Sequence, residues 1–185
     1  MINETLYKSK IETHDNFPIE GVKYYDLNPL YKNPQFRKIL VDDCVTTIKE
    51  GINTSIFPSF DYIAVVESRG FLIGSIIADK LDRGLVLLRS KPGRLPGETS
   101  KVKHTLEYGD AQMECQKGFG KTLIFDDVLA TGGTAKGAIE CLTGGGYTPV
   151  GAFFPVELDY LKPELPIPYA SIIQYGEEDV LEKED

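Results

Sequence analysis

Thr122-Leu123-Ile124-Phe125-Asp126-Asp127-Val128-Leu129-Ala130-Thr131-Gly132-Gly133-Thr134 runs from an apolar stretch, through two carboxylates, into small and hydroxyl residues. Ala135, Ala138, Ile139 and Leu142 continue it as a helical stripe, which Gly144-Gly145-Gly146 stops. The order is strand, turn, helix. In the turn, Ala130, Gly132 and Gly133 carry little or no side chain, so consecutive backbone N–H groups can face an anion. Thr131 and Thr134 add hydroxyls, and the helix that follows points its positive end the same way. This is a cradle for a phosphate monoester. Asp126 and Asp127 would repel a phosphate and suit ribose hydroxyls instead, so the turn reads as a grip on a ribose 5-phosphate.

Outward from that turn the chain repeats the same alternation. Tyr62-Ile63-Ala64-Val65-Val66 predicts a strand covered on both faces. The break Glu67-Ser68-Arg69-Gly70 leads into a helix marked by Ile73, Ile76, Ile77 and Leu81, and Gly84 opens the strand Leu85–Leu88. On the other side, Val150–Phe154 and Ala170–Tyr175 predict two more strands. Strands alternating with helices predict an α/β fold, a mainly parallel sheet with helices on both faces. At 185 residues, with no repeat or linker, residues 1–185 read as a single domain. Ser90–Gly120 lacks a helical pattern. Its first part is rich in Pro, Gly and basic residues, while Thr105–Gln116 predicts a β-hairpin turning at Gly109-Asp110, a flap over a site.

Composition removes several function classes. The net charge of -8 argues against a nucleic-acid partner. No apolar run is long enough to span a membrane and the first ten residues do not resemble a signal peptide, so a cytoplasmic location is expected. Cys44, Cys115 and Cys141 lack metal-site spacing and read as buried thiols. With only His14 and His104 besides, no metal held directly by side chains is expected. The acidic run 177–185 reads as a frayed, solvated end.

Phe125–Thr134 resembles the PRPP-binding motif of type I phosphoribosyltransferases. Phe17–Leu27, Glu67–Phe71, Arg89–Gly97 and Leu106–Gly109 resemble, in order, further segments of the adenine-specific branch of that family. The resemblance implies a type I phosphoribosyltransferase fold with a small N-terminal hood (about 1–32), a flexible β-hairpin flap (about 90–120) and the tail at 177–185. It also implies transfer of ribose 5-phosphate from PRPP to adenine, giving AMP and pyrophosphate in purine salvage. Mg²⁺ would arrive bound with PRPP, and a homodimer would form, with Arg89 able to reach the neighbouring subunit's site.

Residue by residue, the resemblance puts Ala130, Thr131, Gly132, Gly133 and Thr134 on the 5-phosphate and Asp126 and Asp127 on the ribose. Glu67, Ser68, Arg69 and Gly70, with a cis peptide between Glu67 and Ser68, become the pyrophosphate loop, assisted by Arg89 and Lys91. Val22, Lys23, Tyr24 and Tyr25 form the hood over the purine, with Leu158 on its other side. Arg94, Glu107 and Tyr108 belong to the flap, Glu107 exchanging a proton with the purine. Tyr25 stands where many members carry Arg or Lys, and Lys23 where many carry an apolar residue. The rival readings are a phosphoribosyltransferase for xanthine, hypoxanthine or guanine, and a non-catalytic PRPP-sensing regulator. The residues before the Phe17–Leu27 segment are too few for the DNA-binding module such regulators carry, so an enzyme is expected.

Overall fold

The computed structural model describes residues 2–106 and 109–181. In chain order the elements are α1 (Glu4–Lys8), β1 (Glu12–Asp15), β2 (Lys23–Asp26), α2 (Asn28–Lys32), α3 (Pro34–Asn53), β3 (Tyr62–Val66) and α4 (Gly70–Lys80). They continue with β4 (Gly84–Leu88), β5 (Thr99–Leu106), β6 (Gly109–Gln116), β7 (Gly120–Phe125), β8 (Val128–Leu129), α5 (Gly133–Gly144), β9 (Tyr147–Glu157), β10 (Tyr169–Gln174) and α6 (Glu177–Leu181).

The main sheet runs β10-β9-β7-β3-β4, with β8 alongside β9, and every pairing in it is parallel. Ile63, Ala64, Val65 and Val66 of β3 are buried, the pattern of a strand covered on both faces. One core layer joins β3 and β7 to Ile73 and Ile77 of α4 and to Leu40, Cys44 and Ile48 of α3. The other places Ile124, Ala152 and Phe154 against Ala138, Cys141 and Leu142 of α5. The α/β architecture expected from the alternation is therefore the one the chain adopts. The hood is the separate two-stranded sheet β1-β2.

Several boundaries differ from the expectations. Helix α3 had not been anticipated, although Asn33-Pro34 begins it in the usual way. The Asn33 side chain accepts from the backbone N–H of Gln35 and Phe36, at 2.9 and 3.1 Å. The hairpin is offset as well. Gly109 and Asp110 lie in β6 rather than at the turn, and β5 begins at Thr99, inside the segment read as irregular. Glu107 and Tyr108, assigned to the flap by resemblance, fall outside the described residues. Nor is the whole of 90–120 a free flap, because Met113 and Cys115 are buried in the core and Gly118 donates to the Gly145 carbonyl. The acidic run is corrected too. Residues 177–181 are helical, and Asp179 pairs with Lys8 at 3.0 Å. Val128–Leu129, read as part of a turn, makes a short strand.

Candidate active site

The carboxyl ends of β3, β7 and β9 open into a cleft of about 680 Å³, roofed by the hood and bordered by Ala111–Met113 of β6. Ligands of open parallel sheets bind in this place. One wall is the turn Ala130–Thr134, which leads directly into α5. Gly132 adopts φ +89°, a conformation that side-chain-bearing residues avoid, and it is the residue just before the helix. A Cβ there would also lie 3.2 Å from Leu165 Cδ2. Five consecutive small or hydroxyl residues thus present their backbone to the cleft at a helix N-terminus.

The two aspartates part company. Successive side chains at a strand end point to opposite sides. Asp126 lines the cleft and is half-buried, whereas Asp127 is 1% exposed and faces away from it. Asp127, which the resemblance puts on the ribose, therefore sits outside the cleft lining. Its Oδ2 lies 3.0 Å from Arg69 Nε in an ion pair, without an in-line hydrogen bond from any described residue. Burial, then the adjacent Asp127 charge, pushes the Asp126 carboxyl well above the ordinary carboxylate range. Burial raises Asp127 also, with Arg69 opposing it.

Across the cleft, Glu67, Ser68 and Arg69 form the loop after β3, and the Glu67–Ser68 peptide is cis. Gly70 does not line the cleft. It is buried where α4 meets the end of β7, and a Cβ would lie 3.0 Å from the Phe125 carbonyl and 3.2 Å from Asp126 Oδ1. Glu67 accepts from Ser90 N–H at 2.7 Å and from the Ser90 hydroxyl at 3.0 Å, and it pairs with Arg89 at 3.1 Å. Burial raises its carboxyl, but these partners outweigh it and hold Glu67 below the usual range. Arg89, Lys91 and Arg94 do not line the cleft in this chain. Arg89 is turned onto Glu67, and Arg94 is half-exposed, 4.0 Å from the same carboxylate.

In the hood, Val22, Lys23 and Tyr24 line the cleft, and Leu158 faces them from the end of β9. Strand alternation separates Tyr24 from Tyr25 as it separates the aspartates. Tyr25 contributes only to the wall. It is 4% exposed and packs on Tyr175 with ring centres 4.5 Å apart, so most of its ring belongs to the core while its edge borders the cleft. Arg69 Nη1 donates to the Tyr24 hydroxyl at 2.5 Å. Phe17 meets the Tyr24 ring edge-on at 5.1 Å. Sequence reasoning missed Phe17, Met113, Phe154 and Tyr160 in the lining, and Tyr31, whose buried hydroxyl has no hydrogen-bond partner among the described residues. Only Phe17 belonged to a quoted motif. The others carry no local signal.

The cleft thus combines an anion cradle, a second polar loop with a guanidinium, and aromatic and aliphatic lining residues. That suits a sugar phosphate joined to a second anion, beside a flat heterocycle. Glu12, His14 and Asp26 also come within 4.8 Å of one another on the hood, outside the cleft lining.

The phosphoribosyl transferase domain family matches residues 37–158. Adenine phosphoribosyltransferase of Pseudothermotoga lettingae is 40% identical over 153 residues, covering 80% of this chain and 85% of that protein. The protein of the same name from Stochomys longicaudatus is 38% identical over 177 residues, covering 92% and 96%. Among solved structures, the Saccharomyces cerevisiae adenine phosphoribosyltransferase, complexed with an imino-altritol bisphosphate and adenine, aligns with a TM-score of 0.82 at 32% identity, covering 92% of this chain and 98% of that one.

Proposed function

The chain belongs to the phosphoribosyl transferase family, and on that footing we propose that its cleft transfers the ribose 5-phosphate of PRPP to adenine, giving AMP and pyrophosphate in purine salvage. The observation that carries this reading is one cleft lined by three groups: the Ala130–Thr134 cradle, the Ser68-Arg69 loop and the Tyr24–Leu158 pair.

The assignments follow from position. Backbone N–H groups of 130–134 and the Thr131 and Thr134 hydroxyls hold the 5-phosphate against the α5 N-terminus. Asp126 faces the ribose, where a carboxylate stabilises the positive charge that develops at the anomeric carbon. Arg69 and the Glu67–Ser68 loop take the pyrophosphate, which leaves with the electrons of the carbon–oxygen bond as N9 of the purine bonds to the same carbon. Val22 and Tyr24 on one side, and Leu158 on the other, fix the purine for that attack. Glu107, assigned the proton exchange with the purine by resemblance, lies outside the described residues.

Asp126 lines the cleft, while Glu67 is engaged with Ser90 and Arg89. That donor set fits a Mg²⁺ ion taking most of its oxygen ligands from the substrate. When bound, the ion would neutralise charge on the departing pyrophosphate. A homodimer is part of the proposal. Its support is the exposed apolar group of Leu72 and Ile76 on α4 with Leu85 and Leu87 on edge strand β4. No helix among the described residues is long and apolar enough to cross a membrane. A cytoplasmic location is supported by three buried cysteines that are all free thiols.

The test is a steady-state comparison of adenine, hypoxanthine, guanine and xanthine with PRPP and Mg²⁺. Adenine should give the highest kcat/KM by a factor on the order of 100 or more, since a site built for one pattern of ring donors leaves polar groups unpaired with another. Preference for a 6-oxopurine would overturn the choice of base.

A further inference from the structure

Arg69 is held from two sides by residues of unrelated origin. Its Nε stands 3.0 Å from the carboxylate of Asp127, which is buried behind the PRPP turn. Its Nη1 donates at 2.5 Å to the hydroxyl of Tyr24 on hood strand β2, and the guanidinium carbon is 4.9 Å from that ring's centre. Among the described residues, the hood sheet β1-β2 shares no strand pairing with the main sheet. The Arg69–Tyr24 contact therefore ties the purine side of the cleft to the pyrophosphate side.

A guanidinium is a rigid planar fork. One anchor, at Asp127, leaves it free to pivot about Nε. A second anchor, at Tyr24, fixes the plane and aims the remaining N–H groups. We propose that the Tyr24 hydroxyl is a positioning group for Arg69, so that one residue serves both substrates: its ring packs on the purine while its hydroxyl sets the pyrophosphate-binding fork. This rests on the function proposed above. It adds to it that hood and PRPP site are coupled through a single side chain.

Tyr24→Phe keeps the ring and removes only the hydroxyl. Calorimetric titration with Mg²⁺-PRPP should show a Kd raised about tenfold, equivalent to ~1.4 kcal/mol, while the adenine KM moves by less than about twofold because the stacking surface survives. The double variant Tyr24→Phe/Arg69→Ala should bind PRPP no more weakly than Arg69→Ala alone, since the hydroxyl acts through the guanidinium. An unchanged PRPP Kd with a raised adenine KM would overturn the coupling and leave Tyr24 as a base contact only. Additive losses in the double variant would overturn it as well. Wild-type protein with no affinity for PRPP would overturn the function reading itself, whereas normal wild-type affinity matched by Tyr24→Phe overturns only this inference.

Discussion

Replacing Asp127 by Asn separates the two neighbouring carboxylates more sharply than any other single change. At 3.0 Å from Arg69 Nε, a full charge pair is worth about 5–6 kcal/mol of gross attraction at the effective dielectric of ~20 that suits protein sites. Most of that does not survive as stability. Asp127 is 1% exposed and carries a desolvation cost that the neutral amide would relieve, while the Arg69 side chain, 37% exposed, can regain water. The net loss should be about 1–2 kcal/mol, which in a domain of this size lowers Tm by roughly 2–8 °C. The functional loss should be larger, because Arg69 keeps its charge and loses its anchor, and PRPP affinity should fall about tenfold or more. Asp126→Asn should do the reverse. Asp126 lines the cleft, so kcat should fall by a factor on the order of 100 or more while PRPP affinity changes little. Calorimetric PRPP binding, steady-state kinetics and thermal melting on both variants read all three quantities. If Asp127→Asn left PRPP affinity intact and lost kcat as Asp126→Asn does, both carboxylates would be acting on the ribose and the division of roles would be wrong.

Gly132→Ala should raise the PRPP Kd about tenfold and destabilise the chain by about 1–2 kcal/mol, since φ +89° is strained for alanine and its Cβ would crowd Leu165. Titration calorimetry and melting measure both, and an unstrained, fully binding variant would remove the cradle from the account. Acid should loosen the segment after β4 only below about pH 4.3. Burial raises the Glu67 and Glu114 carboxyls, but hydrogen bonds from Ser90, from Thr99 and from the Gly93 and Arg94 backbone, with nearby cations, leave both below the ordinary value. Their stabilising contribution is then complete above about pH 4.3 and is lost as pH falls through the lower folded values. Urea midpoints measured across that range should drop, and Glu114→Gln should flatten the slope. A variant with the wild-type slope would contradict the assignment.

What the sequence made legible was local. The run from Thr122 to Leu142 holds its apolar strand, its small-residue turn and its helical stripe in consecutive positions, so the cradle could be read without tertiary information. Helix α3 was equally local, with Asn33-Pro34 at its start and Leu40, Val41, Cys44, Val45 and Ile48 on one side, yet it carries no site chemistry and drew no expectation. The hairpin register was not local. Gly109 looks like a turn residue, but burial of Met113 and Cys115 against α5 fixes where β6 begins. Asp126 and Asp127 differ in burial for a reason that a motif match does not carry. Motif matching treats adjacent residues as a unit, whereas a strand turns them to opposite sides. Strand alternation applied to Asp126-Asp127 shows that the pair must divide, though not which member lines the cleft. Arg69's double attachment joins residues 24, 69 and 127, a link that no spacing along the chain reveals.

The central claim is that this cleft moves a ribose 5-phosphate from PRPP to adenine. Mixing the protein with adenine, PRPP and Mg²⁺ and quantifying AMP and pyrophosphate by chromatography tests it most directly. The two products should appear together in equal amounts, and neither should accumulate at a comparable rate when adenine is omitted. Pyrophosphate without AMP, or no consumption of PRPP at all, would contradict the account.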